Sequence, residues 1–301
     1  MTTSHDKSTS HDAFRLDRRA VRRAFDQASN SYDAAAHLQA TARAELLDRL
    51  QWLKCAPDVV LDAGAGTGAA MGELARIYPT ATIVGVDLAF GMARKIATLE
   101  PHALAVCGDV FSLPLRTGSV QLVFSSLLLQ WCDDLDLALA ELRRVLAPGG
   151  LLLFATLGPD TLQELRRAWG AADGHEHVSR FVDMHDIGSA LGRAGFHEPV
   201  LDVDRLTLHY PQALDLMRNL KAIGARNASA SRTRGLTSRT RLQRVQAAYE
   251  NERRDGLLPA TYEVVYAAAW APAHAPQNDD EVTPHEIRIA IESIRRRNNN
   301  R

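Results

Sequence analysis

The stretch Val-Val-Leu-Asp-Ala-Gly-Ala-Gly-Thr-Gly, at residues 59–68, joins a short apolar run to a glycine-rich loop. A continuous apolar run of this kind is typical of a strand that is buried on both faces of a parallel sheet. Glycines lack a Cβ, so the backbone can turn tightly after the strand and approach a ligand closely. A helical pattern follows, and the start of a helix offers unpaired N–H groups. The stretch therefore predicts a strand, a ligand-binding loop and a helix.

Strands and helices alternate along most of the chain. Further strands are predicted at 82–86, 103–107, 120–124, 151–156, 199–209 and 260–270. Helices are predicted at 15–25, 37–50, 69–77, 89–99, 135–146, 160–169, 183–194, 211–223 and 238–251. This alternation predicts an α/β fold whose seven-stranded, mainly parallel sheet has helices on both faces.

The pattern divides the chain into six segments. We expect a disordered tail at 1–12, an N-terminal helical cap at 13–53, a core at 54–204, a basic helical lid at 205–256, the last strand of the core at 257–271 and a polar C-terminal extension at 272–301. The lid is inserted before the last strand of the sheet. It carries eleven basic and four acidic residues, a local charge of +7 in a chain whose net charge is −1.

Composition excludes several classes of protein. The chain has 301 residues, 46% hydrophobic and 24% charged, which argues against a mainly disordered protein. No apolar stretch approaches the roughly 18 residues that a membrane helix needs, and the net charge creates no field that favours nucleic acid. Cys55, Cys107 and Cys132 lie far apart without CxxC spacing, which argues against a disulfide framework or zinc site and indicates a reducing compartment. We expect a cytoplasmic protein without a metal or a secretory signal.

Three acidic residues stand at the ends of three predicted strands. Asp62 precedes the glycines, Asp87 ends the next strand about 20 residues later, and Asp109 ends the third. A carboxylate in the position of Asp87 can accept hydrogen bonds from two ribose hydroxyls. Carboxylates repel a pyrophosphate, so the acidic pocket suits a ligand with a ribose, an amino group and a cationic centre.

This series of motifs resembles the class I S-adenosylmethionine-dependent methyltransferases, with their Rossmann-like fold. The matching stretches are residues 61–68, Gly85-Val86-Asp87, Gly108-Asp109 and 146–150. The resemblance implies that the glycine loop faces the methionine part of the cofactor, Asp87 the ribose and Asp109 the adenine amino group. The cofactor contacts that it implies are Asp62, Gly64, Ala65, Gly66, Gly68, Asp87, Leu88, Asp109, Val110, Ser125 and Gln130.

A narrower resemblance covers about residues 20–270. Residues 25–33, 37–39, 128–131, 154–162, 181–186, 216–225 and 262–266 are similar to motifs of the malonyl-acyl carrier protein O-methyltransferases of biotin synthesis. This resemblance implies that S-adenosylmethionine methylates the free carboxylate of a malonyl thioester on acyl carrier protein, the step that starts pimeloyl formation. The basic lid would then be a docking face for the acidic carrier protein.

The narrower resemblance also suggests which residues meet the substrate. A malonyl carboxylate is ionised at pH 7, so it needs no general base, and the protein's work is positioning. We expect Tyr32 to supply a catalytic hydroxyl at the mouth of the site and Trp131 to contact the substrate. Arg218 is the candidate for orienting the carboxylate, and Lys221 lies one helical turn away on the same face.

Other functions are compatible with these motifs. Assembly factors of respiratory complex I share the Tyr-Asp and Leu-Gln-Trp motifs and modify a protein arginine. A methyltransferase of a free small molecule and a non-catalytic S-adenosylmethionine sensor are further alternatives. RNA methylation ranks low, because the basic lid contains only Tyr210 and Tyr249 as aromatic residues for base stacking.

Overall fold

In a computed structural model, described over residues 16–100, 103–230, 232, 235 and 237–273, the chain folds around one seven-stranded sheet. The strands are β1 (Val59–Ala63), β2 (Thr82–Asp87), β3 (Leu104–Cys107), β4 (Val120–Ser126), β5 (Leu146–Leu157), β6 (His197–Tyr210) and β7 (Leu258–Trp270). Their order is β3-β2-β1-β4-β5-β7-β6. The first five strands pair in parallel, and β7 is antiparallel to β5 and β6. The mainly parallel sheet predicted from the sequence is confirmed.

Helices cover both faces of the sheet, as predicted. They are α1 (Arg18–Ala28), α2 (Tyr32–Ala35), α3 (His37–Leu50), α4 (Met71–Ile77), α5 (Phe90–Leu99), α6 (Leu135–Val145), α7 (Gln163–Ala172), α8 (Met184–Arg193), α9 (Ala213–Ala222) and α10 (Arg239–Glu250). Successive residues of a strand point to opposite faces. Val60 accordingly belongs to one buried cluster with Leu46 and Phe124, whereas Leu61 belongs to a second with Phe154.

Two helix starts differ from their predictions because of hydrogen bonds. The helix predicted from residue 15 begins at Arg18, since the carboxylate of Asp17 accepts the N–H of Ala20 at 3.0 Å and caps the helix. The helix predicted from residue 160 begins at Gln163, because the carboxylate of Glu263 on β7 accepts the N–H of Asp160 at 2.7 Å. The predicted tail at 1–12 and residues 274–301 of the predicted extension lie outside the described residues.

The N-terminal helices are held over the carboxyl ends of the central strands. The N–H of Asp17 donates to the carbonyl of Ala228 at 2.8 Å. Farther along, the hydroxyl of Thr67 in the glycine loop donates to Asp33 at 2.6 Å, and the N–H of Gly91 donates to Asp26 at 2.8 Å. These bonds tie the cap to the loops that follow β1 and β2, where parallel sheets bind ligands. Over the described ranges, no helix is long and apolar enough to cross a membrane.

Gly85 on β2 is a packing constraint directly beneath this edge. A Cβ there would lie 2.7 Å from the Sδ of Met71 and 3.1 Å from the Cδ1 of Ile96. We expect Gly85→Ala to lower the free energy of unfolding by roughly 1–3 kcal/mol, because it overpacks the core. Urea unfolding would measure the change.

Gly192 provides the matched control. This glycine lies in α8, and no atom of the described residues is within 4 Å of the place that a Cβ would take. Gly192→Ala is expected to leave stability unchanged or raise it by about 0.5–1 kcal/mol. Equal effects of the two substitutions would contradict the packing argument.

Candidate active site

The glycine loop bends sharply at the end of β1. The N–H groups of Gly64 and Ala65 both donate to the carbonyl of Val86, at 2.8 and 3.1 Å. Gly64 has a φ of +73°, and a Cβ there would lie 2.8 Å from Leu128. Both the backbone conformation and the close approach therefore require glycine at this position.

Asp87 fixes the loop and faces the cleft beside it. Its Oδ2 accepts the N–H of Gly66 at 2.9 Å, and its Oδ1 accepts the N–H of Ala89 at 2.8 Å. Burial raises the pKa of Asp87 to about 6, although these two N–H groups act in the opposite direction. Each carboxylate oxygen retains a lone pair, so the group can still accept hydrogen bonds from two ligand hydroxyls.

Asp62 lies behind the glycine loop with an incomplete set of hydrogen bonds. The residue is 2% exposed, and no donor among the described residues reaches its Oδ2. Burial, and then the negative charge of Asp87, raise the pKa of Asp62 to about 7. A buried carboxylate of this kind favours a positively charged ligand group nearby.

The third acidic residue is bonded to the cap. The Oδ1 of Asp109 accepts the N–H of Phe111 at 3.1 Å, and its Oδ2 accepts a bond from Arg18 on α1. The guanidinium of Arg18 also lies 4.4 Å from the centre of the Phe111 ring. Arg18 thus reaches across this end of the cleft, and the sequence analysis missed it because only tertiary packing brings α1 to Asp109.

We call the space between these residues the acidic cleft; its volume is about 840 Å³. Eight of the predicted site residues line it: Tyr32, Gly64, Gly66, Asp87, Leu88, Asp109, Val110 and Trp131. Asp62, Ala65 and Gly68 are not in its walls. The predicted cofactor contacts Ser125 and Gln130 are not there either, because the buried hydroxyl of Ser125 donates to the carbonyl of Ala63 at 2.9 Å and Gln130 lines a neighbouring cavity.

That neighbouring space, which we call the inner cavity, has a volume of about 810 Å³ and a mostly apolar wall. It shares Phe25, Tyr32, Leu127 and Trp131 with the acidic cleft. The Oε1 of Gln130 accepts a bond from Thr156 at 3.2 Å, which leaves its amide nitrogen as a donor. The Oε1 of Gln39 is buried and has no hydrogen-bond partner in the described part of the chain. The cavity therefore suits a carbon chain with a few polar groups.

Tyr32 lies at the junction of the two spaces. Its ring is 3.9 Å from the place that a Cβ on Gly66 would take, and the Phe25 ring lies 6.4 Å from it and 5.2 Å from Trp131. Among the described residues the Tyr32 hydroxyl has no hydrogen-bond partner. Burial raises the pKa of Tyr32 above its ordinary value, so the phenol is neutral at pH 7 and can donate a hydrogen bond.

Arg218 and Lys221 are not brought to either space. The side chain of Arg218 is 71% exposed and forms an ion pair with Asp215 at 2.9 Å. On the same helix, Leu220 and Ile223 face the inner cavity instead. The helical spacing of the two basic residues was predicted correctly, but the buried Leu216 turns their face of α9 towards solvent.

The charge of the basic lid is partly neutralised. Five of its eleven basic residues form ion pairs: Arg205, Arg218, Arg232, Arg241 and Arg253. Within the described part of the chain, Lys221, Arg226, Arg239, Arg244 and Arg254 form none. The lid thus retains exposed positive charge for a negatively charged partner.

Comparison with known proteins identifies the relatives of this chain. Residues 61–154 match the family model of the methyltransferase domain. The chain is 50% identical to the malonyl-[acyl-carrier protein] O-methyltransferase of Methylovorus sp., over 92% of this chain and 97% of that protein. The protein of the same name from Halorhodospira halophila is 47% identical, over 95% and 98%. A crystal structure of a putative methyltransferase from Bacillus halodurans is 18% identical, with a TM-score of 0.56, and covers 77% of this chain and 99% of that chain.

The raised pKa of Asp62 predicts that its charge destabilises the folded chain. We expect Asp62→Asn to raise the free energy of unfolding at pH 8, by up to about 4 kcal/mol, because the unfolded carboxyl keeps its ordinary pKa of 3.8. The gain should be smaller at pH 5, where the native carboxyl is already protonated. Urea unfolding at both pH values would measure it.

Asp58→Asn is the control for this experiment, since Asp58 is exposed just before β1. Its effect should be small at either pH. A gain for Asp62→Asn that does not grow between pH 5 and pH 8 would contradict the assignment.

Proposed function

This chain belongs to the malonyl-[acyl-carrier protein] O-methyltransferases, and we propose that it methylates the free carboxylate of a malonyl group held as a thioester on acyl carrier protein. The observation that carries the proposal is 50% identity over nearly the whole length of a relative with that name. The product is a malonyl methyl ester. Because methylation removes the negative charge of the carboxylate, fatty-acid enzymes can extend the chain in biotin synthesis. The acidic cleft and the inner cavity, which meet at Tyr32 and Trp131, give the reaction two adjoining spaces.

S-adenosylmethionine is the cofactor, and the acidic cleft fits it. When bound, it supplies an electrophilic methyl group on a sulfonium sulfur. Asp87 would accept hydrogen bonds from its ribose, and Asp109 would take its adenine amino group beside Arg18. The unpartnered oxygen of Asp62 adds negative charge behind the glycine loop, where the cationic methionine end would lie.

Positioning of the malonyl carboxylate falls to the inner cavity. Two of its candidate donors are neutral, the Tyr32 hydroxyl and the Gln130 amide, which Thr156 orients; the Arg226 guanidinium also stands in its wall. Neutral donors suit this reaction, because the attacking carboxylate loses charge in the transition state and a strong ion pair would stabilise the ground state more. Most of the wall is apolar, and Trp131 packs where the two spaces meet.

The exposed charge of the lid supports docking of an acidic carrier protein. Arg218 and Lys221 fit this docking face better than a contact with the carboxylate, because both side chains are exposed on α9. The attraction would act mainly on the rate of association and would weaken with salt. All three cysteines are free thiols, which supports a cytoplasmic location.

The proposed reaction can be tested with labelled S-adenosylmethionine. Purified protein would be incubated with malonyl-, acetyl- and succinyl-acyl carrier protein, and label transfer to each would be measured. Transfer to the malonyl form alone is expected. Cofactor binding without transfer to any carrier thioester would overturn the proposal and favour a protein-modifying relative.

The role of Tyr32 predicts a specific defect in Tyr32→Phe. We expect kcat/KM for malonyl-acyl carrier protein to fall about 10–30-fold, because the hydroxyl that orients the carboxylate is lost. The affinity for S-adenosylhomocysteine should change little, since the phenyl ring still packs on the glycine loop. Steady-state kinetics and calorimetry would measure the two quantities.

Trp52→Phe serves as the matched aromatic control, because Trp52 is 87% exposed. An unchanged kcat/KM in Tyr32→Phe would show that the hydroxyl does not hold the substrate. A parallel loss of cofactor affinity would instead assign Tyr32 to the cofactor.

A further inference from the structure

A third space opens from the inner cavity towards the surface, between α1 and the loop that follows α9. We call it the basic groove; its volume is about 600 Å³. Its walls include Ala20, Arg23, Ala24 and Gln27 on one side and Gly224, Arg226, Asn227, Ala228 and Arg232 on the other. Trp131, Arg226 and Asn227 belong to both the groove and the inner cavity. The groove therefore adjoins the inner cavity, the proposed site of the malonyl group.

Two guanidinium groups in this groove are available to a ligand. Arg232 is engaged by Asp17 at 3.0 Å and by the carbonyl of Ser229. Arg23 and Arg226 are exposed, and neither forms an ion pair within the described ranges. No carboxylate is among the described residues of the groove wall, and the nearby Asp17 carboxylate is paired with Arg232, so the wall keeps the positive charges of Arg23 and Arg226.

The walls of the groove are held at a fixed spacing. Gly224 has a φ of +75°, and a Cβ there would lie 3.1 Å from the carbonyl oxygen of Ala24 and 3.2 Å from Phe25. The hydroxyl of Ser31 donates to the carbonyl of Ala222 at 2.8 Å. The loop after α9 thus packs directly on α1 beside the groove.

Two further spaces border the inner cavity, and each has a carboxylate in its wall. One shares Gln130 and Phe181 with it, and the other shares His177 and Phe181. Glu176 stands in the walls of both, and the Arg180 side chain beside it donates to the Glu176 carboxylate at 3.0 Å. A negatively charged ligand would therefore favour the basic groove over either of these routes.

We propose that the basic groove binds the phosphate of the pantetheine arm that carries the malonyl group, through Arg23 and Arg226. This inference rests on the proposed function, since a carrier-bound malonyl thioester hangs on a flexible arm that ends in a phosphodiester. Guanidinium groups bind phosphate oxygens through paired, charge-assisted hydrogen bonds. The arm runs along the alanine-lined groove past Trp131, and its thioester end enters the inner cavity.

The test compares two small substrates, malonyl-phosphopantetheine and malonyl-pantetheine, which differ only by the phosphate. We expect wild-type kcat/KM to be at least about tenfold higher for the phosphorylated substrate. The double variant Arg23→Gln/Arg226→Gln should bring this ratio close to one. The change should lie in KM, because the phosphate is remote from the reacting atoms.

Arg116→Gln is the matched control, because Arg116 is exposed just before β4. It therefore lies at the amino end of that strand, away from the carboxyl ends of the strands that border the cavities. The substitution removes one positive charge and should preserve the ratio. Thermal unfolding and S-adenosylhomocysteine binding of all variants would verify that the fold and the acidic cleft are intact.

Each remaining outcome separates the inference from the proposed function. A ratio that survives in the double variant would overturn the phosphate site. An equal loss for both substrates would also overturn it, and would place Arg226 on the malonyl carboxylate instead. Wild-type protein could methylate malonyl-acyl carrier protein but neither small substrate. In that case, phosphopantetheine and pantetheine would be compared as inhibitors of the carrier-protein reaction. We expect phosphopantetheine to bind about tenfold more tightly, and equal inhibition constants would overturn the phosphate site. Failure on every malonyl substrate would refute the proposed function itself.

Discussion

Two carboxylates, the buried Asp62 and the half-buried Asp87, lie where neighbouring parallel strands approach the glycine loop. Burial opposes the ionised form of each, and the negative charge of Asp87 adds to the effect on Asp62. The backbone N–H groups of Gly66 and Ala89 satisfy Asp87 only in part. The sharp turn at Gly64, the packed cap and the walls of the acidic cleft are all arranged around these two carboxylates. A ligand with hydroxyl donors and a cationic centre would complete the polar interactions that the folded chain leaves open.

The cap connects the parts of the site to one another. Arg18 contacts Asp109, Asp33 contacts the glycine loop through Thr67, and Asp17 is bonded to the loop after α9. One short segment thereby borders the acidic cleft, the inner cavity and the basic groove. The arrangement explains how a cofactor and a substrate arm could meet, because the cap borders all three spaces.

The order of strands and helices was predictable, because apolar runs and glycine loops are local patterns. Helix α3 begins and ends where the periodicity places it. Features that depend on distant residues were not predictable: Glu263 moves the start of α7, and the extended backbone of β5 begins at Leu146 instead of residue 151 because Leu146 pairs with Val120 on β4. The four-residue helix α2 is too short to show a period.

The positions of some site residues were predictable from the sequence, and those of others depend on tertiary packing. Asp87, Asp109 and the glycines follow strands, so their position at the carboxyl edge follows from the topology. The surroundings of Gln130 depend on a bond to Thr156 on β5, and the exposure of Arg218 depends on which face of α9 is buried. Arg18 and Arg226 belong to segments without a strong motif, and only the packing of the cap against the lid brings them to the cavities.

Trp131 stands in the walls of the acidic cleft, the inner cavity and the basic groove. Its indole is therefore an intrinsic optical probe for all three, since emission from tryptophan depends on the polarity and packing around the ring. Trp52, which is 87% exposed, contributes a nearly constant background of solvated emission. Ligands that enter different spaces would report through the same chromophore, so the order in which cofactor and carrier bind could be followed by stopped-flow spectroscopy without a label.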